Sequence, residues 1–226
     1  MKKNYVLILL SVLLSISGIS QMSGTYTIDG SSPTSGTNYN SFGDAVTDLN
    51  TSGVSGAVTF NVASGSYTGE VLIGSITGVS ATNTITFDGG TAGATLDNSS
   101  STFSQGTIRF FGASHTIFKN LNIENTGYGR VIYFDGSNNN ITIQGCNITT
   151  RIGTTSAYSC IYNESGTSNK SEFITIDNNT LNNGYYGIYA YGGSSSLAAN
   201  EDGWVITNND FVDFYYYGIY AYYLKN

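Results

Sequence analysis

The sequence is poor in proline, cysteine, histidine and positive charge. Among its 226 residues it has one proline, two cysteines, one histidine, and 8 Lys and Arg against 15 Asp and Glu. Two cysteines are too few to form a disulfide scaffold. So few cations cannot neutralise a phosphate backbone, so nucleic acid and anionic membranes are poor candidate partners.

The scarcity of histidine also limits the catalytic chemistry. His115, the single histidine, begins a predicted strand and has no Ser, Cys or acidic residue beside it that would complete a nucleophilic triad. A zinc site would likewise need more His or Cys ligands than the chain supplies. The residues therefore indicate no cofactor, apart from a calcium ion considered below, and favour a non-catalytic protein.

Glycine, tyrosine and small polar residues are abundant instead. The chain has 28 glycines and 18 tyrosines, and 40% of its residues are hydrophobic. This composition is typical of strands joined by tight turns and leaves little material for long helices. We expect an all-β protein that is long enough to bury a sizeable core.

The first 20 residues have the pattern of a secretory signal peptide. Lys2 and Lys3 precede the apolar run YVLILLSVLL, and the small residues Gly18 and Ser20 precede Gln21. An apolar run of about ten residues is shorter than the roughly 20 that a membrane span needs. Residues 1–20 therefore predict export, and residues 21–226 should form a secreted or cell-surface chain without a membrane span.

Internal repeats are the strongest structural signal. Four segments align, HTIFKNLNI, NITIQGCNI, FITIDNNTL and WVITNNDF, and each is followed by a second segment, RVIYF, SCIYN or GIYAY, the last of which occurs twice. The second segments place Ile132, Ile161, Ile188 and Ile219 in register, about 30 residues apart. Such a unit buries its apolar face only by stacking on copies of itself, with parallel strands about 4.8 Å apart. Residues 21–226 are thus predicted to form a parallel β-helix, a solenoid of stacked coils.

A short amphipathic helix is expected near the N-terminus. In NSFGDAVTDLN, the apolar residues Phe42, Ala45, Val46 and Leu49 lie at helical spacing. Ser41 stands where an N-cap is needed, and the acidic Asp44 falls in the first turn. This helix would cap the open end of the coil stack.

Three sequence features together resemble a known family. SFGDAVTDL, GVSGAVTFNVASGSYTGEVLI and the repeated ITIxxNxxL-like segments are similar to right-handed parallel β-helix proteins of the pectate-lyase-like superfamily, over roughly residues 25–226. The resemblance implies a right-handed coil with an N-terminal cap helix. It implies no single activity, because that superfamily includes lyases, glycosidases, esterases, phage tailspikes and non-catalytic adhesins. The clustered aspartates, histidine and basic pair of its pectin-cleaving glycosidases are missing here.

Two functions remain open from the sequence. The first is a non-catalytic, adhesin-like surface scaffold that contacts a polysaccharide or a cell-surface glycan. The alternative is the N-terminal part of a polysaccharide lyase or glycoside hydrolase whose catalytic residues lie elsewhere. GIYAYYLKN stops inside a predicted coil, so we expect further domains C-terminal to Asn226.

Outward-facing tyrosines are the best candidate site. If the aligned isoleucines face inward, strand alternation directs one tyrosine per coil outward. The candidate carbohydrate-binding residues are Tyr133, Tyr162, Tyr189 and Tyr220, with Tyr191 and Tyr222 as a second column. The column is either a stacking ladder that stabilises the sheet or a flat aromatic platform for sugars.

An acidic pair is a second candidate. Asp135 and Glu164 follow two aligned isoleucines at the same distance, so they should project outward on adjacent coils about 5 Å apart, with Arg130 close to the same wall of the coils. They would form a calcium site or the remnant of a catalytic centre, or they are two solvated turn acids.

Asparagine and cysteine recur next to predicted turns. Asn179 and Asn209 align at one position after a strand, which favours an asparagine ladder between coils. Cys146 aligns with them one coil earlier and should be a small packed thiol. Cys160 precedes the inward Ile161 and is therefore expected to point away from the core, an orientation that makes a disulfide with Cys146 difficult.

Overall fold

The computed structural model describes residues 20–99, 101–164, 169–193 and 201–225. The predicted signal peptide, except for its last residue, lies outside the described residues. In chain order the described elements are β1 Met22–Ile28, β2 Asn38–Tyr39, helix α1 Phe42–Ser52, β3 Val54–Val62, β4 Gly65–Thr68, β5 Val71–Ile73, β6 Ile85–Asp88, β7 Ala94–Asp97, β8 Gly106–Phe111, β9 Ser114–Lys119, β10 Asn122–Asn125, β11 Arg130–Asp135, β12 Asn138–Gln144, β13 Asn147–Thr150, β14 Ser159–Glu164, β15 Ser171–Asp177, β16 Thr180–Asn182, β17 Tyr186–Tyr191, β18 Glu201–Asp202, β19 Val205–Thr207, β20 Asp210–Val212, β21 Tyr217–Tyr222 and β22 Leu224–Lys225.

The strands form three long parallel sheets. Sheet A has the order β19-β15-β12-β9-β6-β3-β1-β2, sheet B the order β20-β16-β13-β10-β7-β4, and sheet C the order β21-β17-β14-β11-β8-β5. A further parallel pair joins β18 to β22. Successive strands along the chain visit sheets A, B and C in turn, so each circuit is one coil of a solenoid. The predicted all-β parallel β-helix is confirmed.

The register of the coils follows the aligned apolar residues. In sheet C, Ile161 pairs with Ile132 and Ile188, and Ile188 pairs with Ile219. The first three isoleucines are fully buried, whereas Ile219, in the last described coil, is 44% exposed because a neighbour covers it on one side only. The core also holds stacked phenylalanines, with Phe87 lying 4.9 Å from Phe60 and 4.6 Å from Phe118 between ring centroids.

The turn from sheet A to sheet B has the same backbone conformation in four coils. Asn120, Gly145, Asn178 and Asn208 occupy it with φ between 54° and 62°. Asparagine and glycine tolerate this left-handed conformation better than other residues. The next position carries the predicted asparagine ladder, in which the backbone N–H of Asn179 donates to Asn209 Oδ1 at 2.9 Å.

Helix α1 covers the N-terminal end of the solenoid. The backbone N–H of Asp44 donates to Ser41 Oγ at 3.1 Å, as expected for an N-cap. Phe42, Ala45, Val46 and Leu49 are all buried, on the face that packs towards β1, β2 and β5. These are edge or near-edge strands of sheets A and C, so the helix shields core residues that no earlier coil covers. The predicted cap helix is confirmed.

The cysteines are both free and buried. Cys146 lies in the ladder column as predicted, where Asn179 Oδ1 accepts from its backbone N–H. The expectation that Cys160 points away from the interior is wrong, because its thiol is fully buried against the carbonyl oxygens of Ile148 and Asn182, 3.5 and 3.4 Å from Sγ. The first residues of a sheet C strand lie against the ends of sheet B strands, so simple alternation fails there. Burial raises the pKa of the Cys146 thiol to about 12.

Across the part of the chain that the structure describes, no helix combines the length and the apolar character needed to cross a membrane.

Candidate functional site

The predicted tyrosine column lies on the outer face of sheet C. Tyr162 pairs with Tyr133 and Tyr189, and Tyr189 pairs with Tyr220, each on a neighbouring strand. Tyr191 pairs with Tyr222 two residues further along the same strands. We call these six residues the tyrosine wall.

Three rings of the wall stack on one another. The centroids of Tyr162 and Tyr189 are 4.7 Å apart with planes at 9°, and those of Tyr189 and Tyr220 are 5.2 Å apart at 5°. Nearly parallel rings at this distance must overlap by their faces, since rings lying side by side would be further apart. Tyr133 instead meets Tyr162 edge to face, at 5.8 Å and 68°. Sugar binding at the column stays a prediction.

Arg130 lies at the N-terminal end of this stack, next to the ring of Tyr162. Its guanidinium carbon lies 3.9 Å from the ring centroid of Tyr162, 4.5 Å from that of Tyr133 and 4.2 Å from that of Phe103. Because β14 lies between β11 and β17, Arg130 and Tyr189 cover opposite sides of Tyr162, which is only 4% exposed. A cation between aromatic rings is stabilised by their quadrupoles.

Arg130 is itself 2% exposed and donates from Nη1 to the carbonyl oxygen of Phe103. Its Nε is buried without a hydrogen-bond partner among the described residues. Arg130 lies on β11 of sheet C, the same wall of the coils as Asp135, as the sequence predicted, and its side chain packs on the tyrosines.

At its C-terminal end, on β17 and β21, the wall contacts further tyrosines. Tyr191 and Tyr222 stack at 5.8 Å and 22°, and Tyr222 is 51% exposed. Tyr186 lies 5.1 Å from Tyr189 and 5.7 Å from Tyr220, so it bridges two members of the wall. Burial, followed by the neighbouring phenols, raises the pKa of Tyr186 above its usual value. The Tyr186 hydroxyl therefore stays protonated at neutral pH.

A second row of aromatic residues follows the loops that lead from sheet B to sheet C. Except for the short loop between β4 and β5, each loop carries an aromatic residue one to three positions before its sheet C strand begins. We call these residues the turn row: Phe103, Tyr128, Tyr158, Tyr185 and Tyr216.

Contacts link neighbouring members of the turn row. Tyr128 lies 6.5 Å from Phe103 and 5.4 Å from Tyr158, and Tyr185 lies 5.1 Å from Tyr216. Sequence reasoning missed Phe103, Tyr128 and Tyr158. The signal was present in STFSQ, NTGYG and TTSAYS, which stand at equivalent places before successive sheet C strands.

Of the predicted acidic pair, the structure describes the side chain of Asp135 only. Asp135 lies at the end of β11, and its Oδ2 accepts from Arg109 Nε at 2.9 Å and from Nη2 at 2.5 Å. Arg109 pairs with Tyr133 from the preceding coil, so it reaches Asp135 along the outer face of sheet C. Glu164 belongs to β14, but its side chain lies outside the described residues. A calcium ion at Asp135 would compete with Arg109, and the calcium site stays a prediction.

Within the described ranges, no three His, Cys, Asp or Glu side chains are grouped so that they could hold a metal ion. Comparison of the chain with family models, with curated proteins and with solved structures finds no match. The class that fold and site define is thus a parallel β-solenoid that carries stacked tyrosines on one sheet.

Proposed function

We propose that the chain is an exported, non-catalytic β-helix domain of the pectate-lyase-like superfamily. It serves as an adhesin-like surface scaffold and contacts carbohydrate at the tyrosine wall. The observation that carries this proposal is the wall itself, with six tyrosines in two registered columns on the outer face of a rigid sheet. A parallel β-helix displays such side chains at fixed intervals, which suits recognition of a repeating polymer.

The wall would contact sugars through ring edges and hydroxyl groups, because neighbouring rings cover the faces of its central members. A phenol can both donate and accept hydrogen bonds, as sugar hydroxyls also do. Four rings spaced by about 4.8 Å span roughly 14 Å, enough to lie beside two or three sugar residues of an extended glycan.

Removing the hydroxyls at the more exposed end of the wall tests this proposal. The double variant Tyr220→Phe, Tyr222→Phe keeps both rings, and with them the stacking contacts of 5.2 and 5.8 Å. In affinity electrophoresis through gels containing soluble polysaccharides, we expect a gel that retards the parent protein to retard the double variant less. The melting temperature should change little, because a phenol hydroxyl at a half-exposed site contributes little to stability.

Tyr26→Phe is the matched control, since Tyr26 lies on sheet A and packs on Phe60 at 5.6 Å, away from the wall. It should be retarded like the parent protein. If no polysaccharide in the panel retards the parent protein, the wall is a stacking ladder only. Release of unsaturated or reducing ends from the panel would instead favour the lyase or hydrolase alternative.

A further inference from the structure

Stacking of a sugar on an aromatic residue needs an uncovered ring face. The two central rings of the tyrosine wall, Tyr162 and Tyr189, do not meet this condition. Tyr162 has Arg130 on one side and Tyr189 on the other, while Tyr189 lies between Tyr162 and Tyr220. Both faces of these two rings are covered, so a pyranose ring finds no place to stack there.

The turn row has a different geometry. The planes of Tyr128 and Tyr158 meet at 88°, and in a perpendicular pair at most one ring can turn its face towards the other. Of the four ring faces in this pair, the contact therefore covers one at most. Tyr128 is 45% exposed and Phe103 is 46% exposed, whereas Tyr162 in the wall is 4% exposed.

The turn row and the wall are neighbours on the surface. Tyr185 lies 4.6 Å from Tyr186, and Tyr186 lies 5.1 Å from Tyr189 of the wall. Both rows follow the coil axis, because each coil from β11 to β21 contributes a residue to each row. One extended polymer can therefore contact the hydroxyl edges of the wall and the ring faces of the turn row together.

Charges of both signs lie along the turn row. Arg151 lies 5.8 Å from the ring centroid of Tyr158. Asp97, at the end of β7, accepts with its carboxylate from the backbone N–H of Thr126 at 3.0 Å and from the Thr126 hydroxyl at 2.8 Å. Asp213 is exposed on the loop of Tyr216, whereas Arg130 is buried behind Phe103. An acidic polymer would therefore meet more carboxylate than exposed cation here, so the chemistry of the row fits a neutral polymer.

We propose that the turn row is the surface on which a neutral polysaccharide stacks the apolar C–H faces of its pyranose rings, with Tyr128 as the main contact. This inference rests on the proposed carbohydrate-binding function and assigns the stacking contacts to residues outside the wall.

The test compares Tyr128→Ala, which removes the ring, with Tyr128→Phe, which keeps it. The probes are gels that contain hydroxyethylcellulose or galactomannan as neutral polymers and polygalacturonate as an acidic one. We expect Tyr128→Ala to raise the apparent Kd for a neutral polymer roughly tenfold, and Tyr128→Phe to bind like the parent protein. Tyr128 lies on an exposed loop, so circular dichroism should be unchanged in both variants.

Each other outcome counts against the inference in a distinct way. If Tyr128→Ala binds like the parent while Tyr220→Phe, Tyr222→Phe binds less, the inference fails and the proposed function stands. If Tyr128→Phe loses as much affinity as Tyr128→Ala, the hydroxyl and not the ring face makes the contact. Retardation by polygalacturonate alone would overturn the neutral ligand. If no polymer retards the parent protein, both proposals fail together.

Discussion

At the scale of single residues, asparagine has two separate roles in the last two described turns from sheet A to sheet B. Asn178 adopts the left-handed backbone conformation, with φ of 54°. Asn179, which is 2% exposed, accepts from the backbone N–H of Cys146 at 2.9 Å and donates to the carbonyl oxygen of Ile143 at 3.0 Å. One side chain thus satisfies backbone groups of the coil before it, at a place where water cannot reach them.

Asn179→Ala should lower the free energy of unfolding by about 2–4 kcal/mol, because it leaves a buried donor and a buried acceptor unpaired. Urea unfolding followed by circular dichroism measures the loss. Asn147→Ala is the control, since Asn147 is exposed and lies on the outer face of sheet B. Equal losses in the two variants would show that the ladder contributes no more than a surface amide.

A steric requirement explains the glycine at the start of the first Gly-Ile-Tyr-Ala-Tyr segment. A Cβ built on Gly187 would lie 2.4 Å from the carbonyl oxygen of Gly218 in the next coil. Any other residue would therefore force these two coils apart at that point. Glycine at position 187 thus permits this local approach of the two strands.

At the scale of elements, helix α1 covers the core at the N-terminal end of the solenoid. Phe42 packs on Phe87 at 5.7 Å and on Tyr67 at 5.3 Å, so the helix contacts side chains of two different sheets. The N–H of Gly53 donates to the carbonyl oxygen of Leu49 at 2.9 Å and ends the helix, where the chain turns into β3.

Leu49→Asp should destabilise the protein by roughly 3–5 kcal/mol, since it removes a fully buried side chain and places a charge against the core. Asn50→Asp adds the same charge one position away on the exposed face and should cost little. Thermal unfolding of the two variants gives the comparison. Similar melting temperatures would mean that α1 does not protect the core.

At the scale of the whole molecule, several buried or crowded acidic groups share one direction of pKa shift. Burial raises the pKa of Cys146 and Cys160, and burial followed by neighbouring phenols raises that of Tyr186. A hydrogen bond with Tyr216, followed by the phenols around it, raises the pKa of Tyr217. All four groups are held in their neutral form by the folded state.

This shared direction predicts alkaline instability. Above the ordinary pKa values of 9.0 for cysteine and 10.0 for tyrosine, the unfolded chain releases protons that the folded chain retains. The folded state then binds more protons, so its stability is complete below these values and falls as pH rises through the folded pKa values. Urea midpoints measured from neutral pH to strongly alkaline pH should decline above roughly pH 9. A flat profile would contradict the shifts.

The sequence predicted the strand register of sheet C, but it did not predict how the tyrosine rings on that sheet are oriented. The four tyrosines of the first column each follow an inward isoleucine, and that alternation is enough to place Tyr133, Tyr162, Tyr189 and Tyr220 on one face in register. Ring orientation was not predictable in this way, because it depends on which side chain occupies the space between rings. Arg109 and its ion pair with Asp135 were missed because Arg109 lies in a coil that the repeat alignment did not include.

What the sequence determined by itself is periodic: the strands, the coil register, the asparagine turns and the cap helix. Each depends on neighbours along the chain or on identical positions one repeat away, so a pattern of residue types specifies it. Only the tertiary structure decided that Cys160 is buried, that Arg130 packs on the wall and that the ring faces of the wall are covered. These features depend on side chains from different coils meeting at the corners between sheets, where distance in space is unrelated to spacing in the sequence.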